Sequence, residues 1–140
     1  MKTFPIKQQG FTLIEIIVVV VIIGILATFV APKFMGKTDT ARIVKAKSDI
    51  QALESALDLY KLDNFTYPTT DQGLDALINK PGSDPVPNNW QAGGYLKKLQ
   101  KDPWQRDYQY SNDGELKIYS LGADGIDGGE GPNADISNLD

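Results

Sequence analysis

Two groups of residues in this chain have types and spacings that could do chemistry. The first is Gly10, Phe11 and Glu15 in "KQQGFTLIEIIVVVVIIGILATFVAP", where one carboxylate stands inside an otherwise uncharged run. A carboxylate in hydrocarbon costs roughly 3 kcal/mol and is retained where it finds a partner. Cleavage after Gly10 would leave Phe11 with a free amine, the cation this apolar segment otherwise lacks. Glu15 of one copy could then pair with the Phe11 amine of the next, because an unpaired copy would carry an uncompensated desolvated charge. The plain alternative places Glu15 at headgroup level, paired with water. The second group is the tail over 120–140, which holds Asp124, Asp127, Glu130, Asp135 and Asp140 and no Lys or Arg. Its glycines allow tight turns that point carbonyls inward, and carbonyls with Asp side chains make an oxygen cage suited to calcium. The EF-hand pattern fails from Asp124, since its third and fifth positions fall on Ile126 and Gly128. "GGEGPN" is one residue short of a calcium β-roll repeat. Composition alone reads the tail as a flexible acidic segment.

The chain has no cysteine and no histidine. That excludes disulfides, thiolate or imidazole zinc sites, and Cys–His or Ser–His catalysis. A net charge of −4 with no basic face argues against nucleic acid. Asp58 and Asp63 could be offered as a glycosidase pair, but nothing in the sequence sets them in a cleft, so the chain is read as no enzyme. Trp90, Trp104, Tyr95, Tyr108 and Tyr110 read as core rather than as a ligand box.

These groups need elements to position them. Residues 11–31 form an apolar stretch of 21 residues, ~32 Å as a helix against a hydrocarbon core of ~30 Å. Lys2 and Lys7 before it predict a cytoplasmic N-terminus. A secretory signal or a plain signal anchor is the bland reading of such a stretch, and Glu15 is an avoidable cost for either. Helical spacing resumes over 39–62, with Ile43, Ala46, Ile50, Leu53, Leu57 and Tyr60 on one stripe and Lys45, Lys47, Asp49, Glu54, Asp58 and Lys61 between them. The reading is one long helix in two parts, with Gly24, Pro32 and Gly36 as weak points. Residues 69–82 predict a short helix opened by a Thr69–Gln72 capping box. Short strands are expected near "GYLKKL", "DYQYS" and "LKIYSLG", the last two joined at Asn112-Asp113-Gly114. Roughly a hundred residues beyond the apolar stretch suffice for one small core.

The stretch from Lys7 to Glu15 with its apolar continuation resembles the leader of type IV pilins and type II secretion pseudopilins. "LDLYKLDNFTYPTTDQGLDALINKP", "GGYLKKL", "KDPWQRDYQY" and "YSLGADG" narrow the resemblance to the G-type major pseudopilins over nearly the whole chain. The resemblance implies a pilin-like α+β fold: a long N-terminal helix, half membrane and half amphipathic, packed on a small antiparallel sheet with a calcium-binding C-terminal loop. It implies a leader over 1–10 that prepilin peptidase removes after Gly10, methylation of the Phe11 amine, and an assembly role for Glu15. Residues 11–31 become the transmembrane and assembly helix, and 32–140 the periplasmic domain, divided into helix 32–62, an α/β loop 63–94, and sheet with loop 95–140. It implies one structural calcium held by Asp124 and Asp135, by the carbonyls of Leu121 and Ile126, and by Asn133, with Asp127 and Glu130 as weaker ligands. The implied function is a homo-oligomeric periplasmic filament that drives folded proteins across the outer membrane. Its implied partners are copies of itself, minor pseudopilins, the peptidase, and the inner-membrane assembly platform. The implied location is the bacterial inner membrane, single-pass, with the domain outside. Partial melting of the helix over residues 24–36 in the packed filament, allowed by Gly24 and Pro32, is a further expectation.

Two alternatives stay open. A type IV pilin subunit of a surface or competence filament would ordinarily carry a C-terminal disulfide. A monomeric anchored calcium protein would tolerate loss of Glu15. Departures from the family pattern are Gln105, where Gly is usual after Asp-Pro-Trp, and Ser137 and Leu139 near the end, where Gly and Trp are usual.

Overall fold

The computed structural model describes residues 10–140, and of 30–35 it describes the backbone alone. The expected leader therefore lies, apart from Gly10, outside the described residues. Helix α1 runs Leu13–Asn64, and the chain divides into two compact units, Met1–Thr38 and Asp39–Asp140.

In the first unit α1 is apolar on every face. Leu13, Ile14, Ile16, Ile17, the valines 18–21, Ile22, Ile23, Ile25, Leu26 and Phe29 are all exposed. A helix apolar all round needs a covering other than water. Among the described residues no helix is long and apolar enough to cross a membrane. Within the first unit the described apolar side chains of α1 run only to Phe29, and 13–29 spans about 25 Å. The expected span reached Ala31, whose side chain lies outside the description. The expected weak point at Pro32 falls inside α1, whose assignment continues through it. Thr28 Oγ1 donates to the carbonyl of Gly24 at 3.1 Å, a back-bond of the kind that bends helices slightly.

The second unit builds its core from the other half of α1. Ala46, Ile50, Leu53, Ala56, Leu57 and Tyr60 are buried, joined by Leu74, Ala76, Leu77, Tyr108, Ile118 and Ile136. The predicted stripe was right, with Ile43 packed at its margin and Ala56 added. Strands β1 Gln109–Asn112, β2 Leu116–Ser120 and β3 Ile136–Ser137 form one antiparallel sheet in the order β1-β2-β3. Tyr110 pairs with Ile118 and Asn112 with Leu116, so Asp113, Gly114 and Glu115 make the turn. Ser120 pairs with Ile136. Ile118 and Ser120 are buried, whereas Lys117 and Tyr119 face outward with the ammonium 4.4 Å from the ring centre.

Two element assignments from the sequence are corrected. Gly94–Leu99 forms no strand: Tyr95 and Leu96 N–H both donate to the carbonyl of Leu77, at 2.7 and 3.1 Å, so the segment caps a turn instead of joining a ladder. The helix expected over 69–82 is a turn followed by a 3-10 segment, Leu74–Leu77. The capping box is present, with Thr69 N–H to Gln72 Oε1 at 3.1 Å and Gln72 N–H to Thr69 Oγ1 at 3.2 Å. Gln72 then donates to the carbonyls of Ser83 at 2.9 Å and Pro85 at 3.2 Å, and these tie the chain down before an α-helix can develop. The strand β3 was not foreseen, because two residues carry no alternation to read.

Candidate functional sites: the helix start and the acidic loop

At the helix start, Thr12 and Glu15 form the reciprocal contact of a capping box. Glu15 N–H donates to Thr12 Oγ1 at 3.3 Å, and Thr12 N–H donates to Glu15 Oε2 at 3.4 Å. Both bonds are long and exposed, so they hold the carboxylate loosely at the positive end of α1. Glu15 thus has a local role that the sequence reading did not foresee, although Thr-x-x-Glu before an apolar run is its signature. Phe11 is 81% exposed, and nothing lies within 4 Å of a Cβ built on Gly10. Among the described residues nothing packs over the bond between them.

The acidic loop occupies 121–135. Its turns are closed by its own backbone: Gly125 N–H to the carbonyl of Leu121 at 3.2 Å, Ala123 to Pro132 at 3.0 Å, Asn133 to Glu130 at 3.1 Å, and Asp135 to Gly128 at 3.2 Å. Gly122 sits at φ +64, and a Cβ there would fall 2.5 Å from the carbonyl oxygen of Ala134 and 2.8 Å from that of Asn133. The start and end of the loop therefore touch backbone to backbone, which only glycine permits. Asp124 Oδ1 accepts from Ile126 N–H at 3.0 Å, and Asp135 Oδ2 accepts from Gly128 N–H at 3.0 Å. The two carboxylates share no hydrogen-bond partner. Asp127 and Glu130 are exposed.

The residues fit a calcium ion on one observation. Asp135 Oδ1 is buried and accepts no hydrogen bond from the described residues. A desolvated carboxylate oxygen without a donor needs a cation or an ion-like partner. Among the described residues no three carboxylates gather as a metal group, so carbonyl oxygens would have to complete the set.

Beside the loop stands a cluster that sequence reasoning missed. Asp102 is 1% exposed. Its Oδ1 accepts from the N–H groups of Trp104 at 2.9 Å and Arg106 at 2.8 Å, and its Oδ2 accepts from Ser120 Oγ at 2.7 Å. Arg106 reaches from this turn to the carbonyls of Gly122 and Ala123. The available signal was charge: a loop with four acids and no cation of its own must draw one from elsewhere.

The remaining sequence-named residues have structural work. Asp58 accepts from the Tyr67 hydroxyl at 2.7 Å and Asp63 from the Tyr95 hydroxyl at 2.9 Å, so the two acids are parted onto different phenols. Trp90 Nε1 donates to the carbonyl of Ala76 at 2.8 Å, and its ring meets Tyr95 edge-on at 6.1 Å. Tyr108 is buried, while Trp90, Tyr95, Trp104 and Tyr110 pack against the core. The hydrogen bond to Asp58 pushes the Tyr67 phenol up to about 12, and burial followed by the bond to Asp49 raises that of Tyr108.

Comparison with known proteins agrees with this geometry. The family described as "Type II secretion system (T2SS), protein G" matches residues 33–139, and the "Prokaryotic N-terminal methylation motif" matches 6–31. A Vibrio cholerae protein named "Type II secretion system core protein G" is 58% identical over 135 residues, covering 94% of this chain and 92% of its own. A Pseudomonas aeruginosa protein of the same name is 56% identical over 137 residues, covering 96% of each. The crystal structure of the major pseudopilin from the type 2 secretion system of enterohaemorrhagic Escherichia coli superposes with a TM-score of 0.67 at 48% identity, covering 74% of this chain and 91% of that one. With its methylation motif, its helix and sheet, and relatives matched over nearly their full length, this chain belongs to the type II secretion system protein G family.

Proposed function

We propose that this chain is the major structural subunit of the type II secretion pseudopilus, and that its reach into the membrane and its self-assembly both rest on the first half of α1. It is a membrane-anchored component of the secretion apparatus. The observation that carries the reading is that α1 over 13–29 is apolar on every face and that the one carboxylate of this stretch, Glu15, sits at its N-terminus. Lipid covers such a surface before assembly, and copies of the same helix cover it afterwards, with van der Waals fit deciding between them. Prepilin peptidase cuts between Gly10 and Phe11, and the new amine is methylated. Glu15 of one copy then pairs with the Phe11 amine of its neighbour, exchanging a loose capping contact for a charge pair in a desolvated setting. The N-terminus is cytoplasmic, the membrane is the bacterial inner membrane, and the domain is periplasmic. Minor pseudopilins and the inner-membrane platform complete the partner set. Extension of the filament drives folded proteins toward the outer membrane.

The acidic loop belongs to the same reading. Asp124, Asp135, the carbonyls of Leu121 and Ile126, and the Asn133 side chain would hold a calcium ion. Bound there, calcium supplies a cross-link between the two ends of a segment with little apolar content. The orphaned Asp135 Oδ1 supports this. The chain's own contribution is to keep that oxygen dry and donor-free.

Glu15→Gln is the variant that tests the assembly half. Glutamine at this position preserves the capping box, so the helix and its membrane insertion should persist. Chemical cross-linking of membranes should yield a subunit ladder from the unaltered chain and monomer from the variant. An unchanged ladder from the variant would remove the charge pair from the proposal, and absence of a ladder from both would remove the filament.

A further inference from the structure

We propose that Arg106 is a positioning residue for the acidic loop: its guanidinium holds the loop's first turn closed without metal, so that a cation meets carbonyls already in place. The calcium part of this proposal rests on the metal reading above, while the loop-holding part stands apart from it.

The geometry is a closed ring of contacts. Arg106 Nη1 donates to the carbonyl of Gly122 at 2.6 Å and Nη2 to that of Ala123 at 2.9 Å. Among the described residues Arg106 forms no ion pair, so both arms of the fork that make bonds end on carbonyls. The backbone of Arg106 is itself fixed: its N–H donates to Asp102 Oδ1 at 2.8 Å, and its carbonyl accepts from Asp102 N–H at 2.8 Å. Asp102 Oδ2 accepts from Ser120 Oγ, and Ser120 Oγ accepts from Gly122 N–H at 3.3 Å. Gly122 is therefore gripped at its N–H by Ser120 and at its carbonyl by Arg106, and both grips trace to one buried carboxylate. Gly125, at φ +72, closes the turn over the guanidinium, where an added Cβ would lie 2.6 Å from Cζ and Nε of Arg106. The clamped residues, 122 and 123, lie between the expected ligands Leu121 and Asp124.

A planar fork can hold two adjacent carbonyls at once, which a lysine ammonium on a flexible stem cannot. Charge and geometry also push calcium affinity in opposite directions. As a mere cation, Arg106 would repel calcium and its removal would tighten binding. As a clamp, it spares the loop part of its ordering entropy, and its removal would weaken binding.

The test uses the full chain in detergent and compares it with Arg106→Met and Arg106→Lys, by amide hydrogen exchange in chelator and by titration with calcium alone. The proposal expects exchange at Ala123 and Gly125 to speed up about tenfold in both variants, the cost of losing charge-assisted bonds. Amides of α1 around Leu53 and Leu57 should keep their protection, and calcium affinity should fall about tenfold. Unchanged exchange at 123 and 125, an equal loss along α1, or tighter calcium binding in Arg106→Met would overturn it. Full rescue by Arg106→Lys would overturn the fork and leave only charge. If Arg106→Met does not fold, the lysine variant decides alone. If the unaltered chain binds no calcium, the metal reading falls, and the exchange result in chelator still judges the clamp.

Discussion

Gln105 sits at φ +68 and Phe65 at φ +64, a region that costs a residue with a Cβ about 1 kcal/mol. Gln105 closes the turn under the Asp102 cluster, with its N–H donating to the carbonyl of Asp102 at 2.9 Å. This is the position where the resemblance leads us to expect glycine, and the glutamine found there holds its conformation under strain. The turn itself is intact, because Asp102 accepts both the Trp104 and Arg106 N–H groups and over-determines the backbone. Phe65 follows the end of α1, where its N–H donates to the carbonyl of Lys61 at 2.7 Å, and it is 83% exposed. Its ring gains little from burial in the isolated domain, while its backbone takes the conformation a glycine would take at a helix C-terminus. Gln105→Gly and Phe65→Gly should each raise unfolding stability by about 0.5–1 kcal/mol, the strain relieved less the greater freedom of glycine in the unfolded chain. Urea titration reads this as a higher midpoint at unchanged slope. A lower midpoint at either position would mean that the side chain makes a contact stronger than the strain.

At the scale of elements, Gln72 shows how one side chain replaces a helix. It caps Thr69 and holds two carbonyls of the following loop, so the segment 69–87 depends on an amide that is almost fully buried. Gln72→Ala should destabilise the domain by about 1–3 kcal/mol, since it leaves buried backbone groups unpaired. Thermal unfolding would check it, and a change near zero would mean that water replaces the amide freely. The same segment marks where the sequence stops being legible. The Thr69–Gln72 box, the α1 stripe and the hairpin about Gly114 could be read, because each is a local pattern of spacing or turn chemistry. The 3-10 form of Leu74–Leu77, the loss of a strand at Tyr95 and Leu96, and strand β3 could not, because each is decided by a carbonyl or a strand distant in sequence. The site divides the same way. Asp124 and Asp135 were named from composition and resemblance, whereas Asp102, Ser120 and Arg106 come together only through the fold. Pro32 belongs at this scale too. It lacks the N–H that the carbonyl of Thr28 would accept, and Gly24 lies one turn before Thr28. Exchange measured on assembled filaments should show faster amides over 24–36 than over 13–23, and equal protection along both would refute the expected local melting.

The domain as a whole is closed by phenols that dock on the carboxylates and carbonyls of other elements. Tyr108 of the sheet side donates to Asp49 on α1 at 2.8 Å, Tyr67 to Asp58 on α1, Tyr95 to Asp63, and Tyr110 to the carbonyl of Pro68 at 2.7 Å. Each bond requires the phenol to keep its proton. The pKa values move accordingly: Tyr67 rises to about 12 through its bond to Asp58, and Tyr108, Tyr110, Tyr95 and Tyr60 rise chiefly through burial. A phenol whose folded pKa lies above its unfolded value near 10 holds its proton more tightly in the fold. Its stabilisation is fully present below about pH 10 and is lost as the pH climbs from there through the folded value, because the unfolded chain ionises first. The melting temperature should therefore be flat with respect to these groups through neutral pH and fall steeply above about pH 10. Tyr67→Phe and Tyr108→Phe should each lower stability at neutral pH by about 1 kcal/mol, the net worth of the lost bond, and each should flatten the alkaline fall. Parallel curves for the variants and the unaltered chain between pH 9 and 12 would show that the fall arises elsewhere. The loop offers an internal control, since residues 121–135 hold no tyrosine. Added calcium should lift the whole curve without changing its alkaline slope, and a slope that changed with calcium would tie the phenols to the loop.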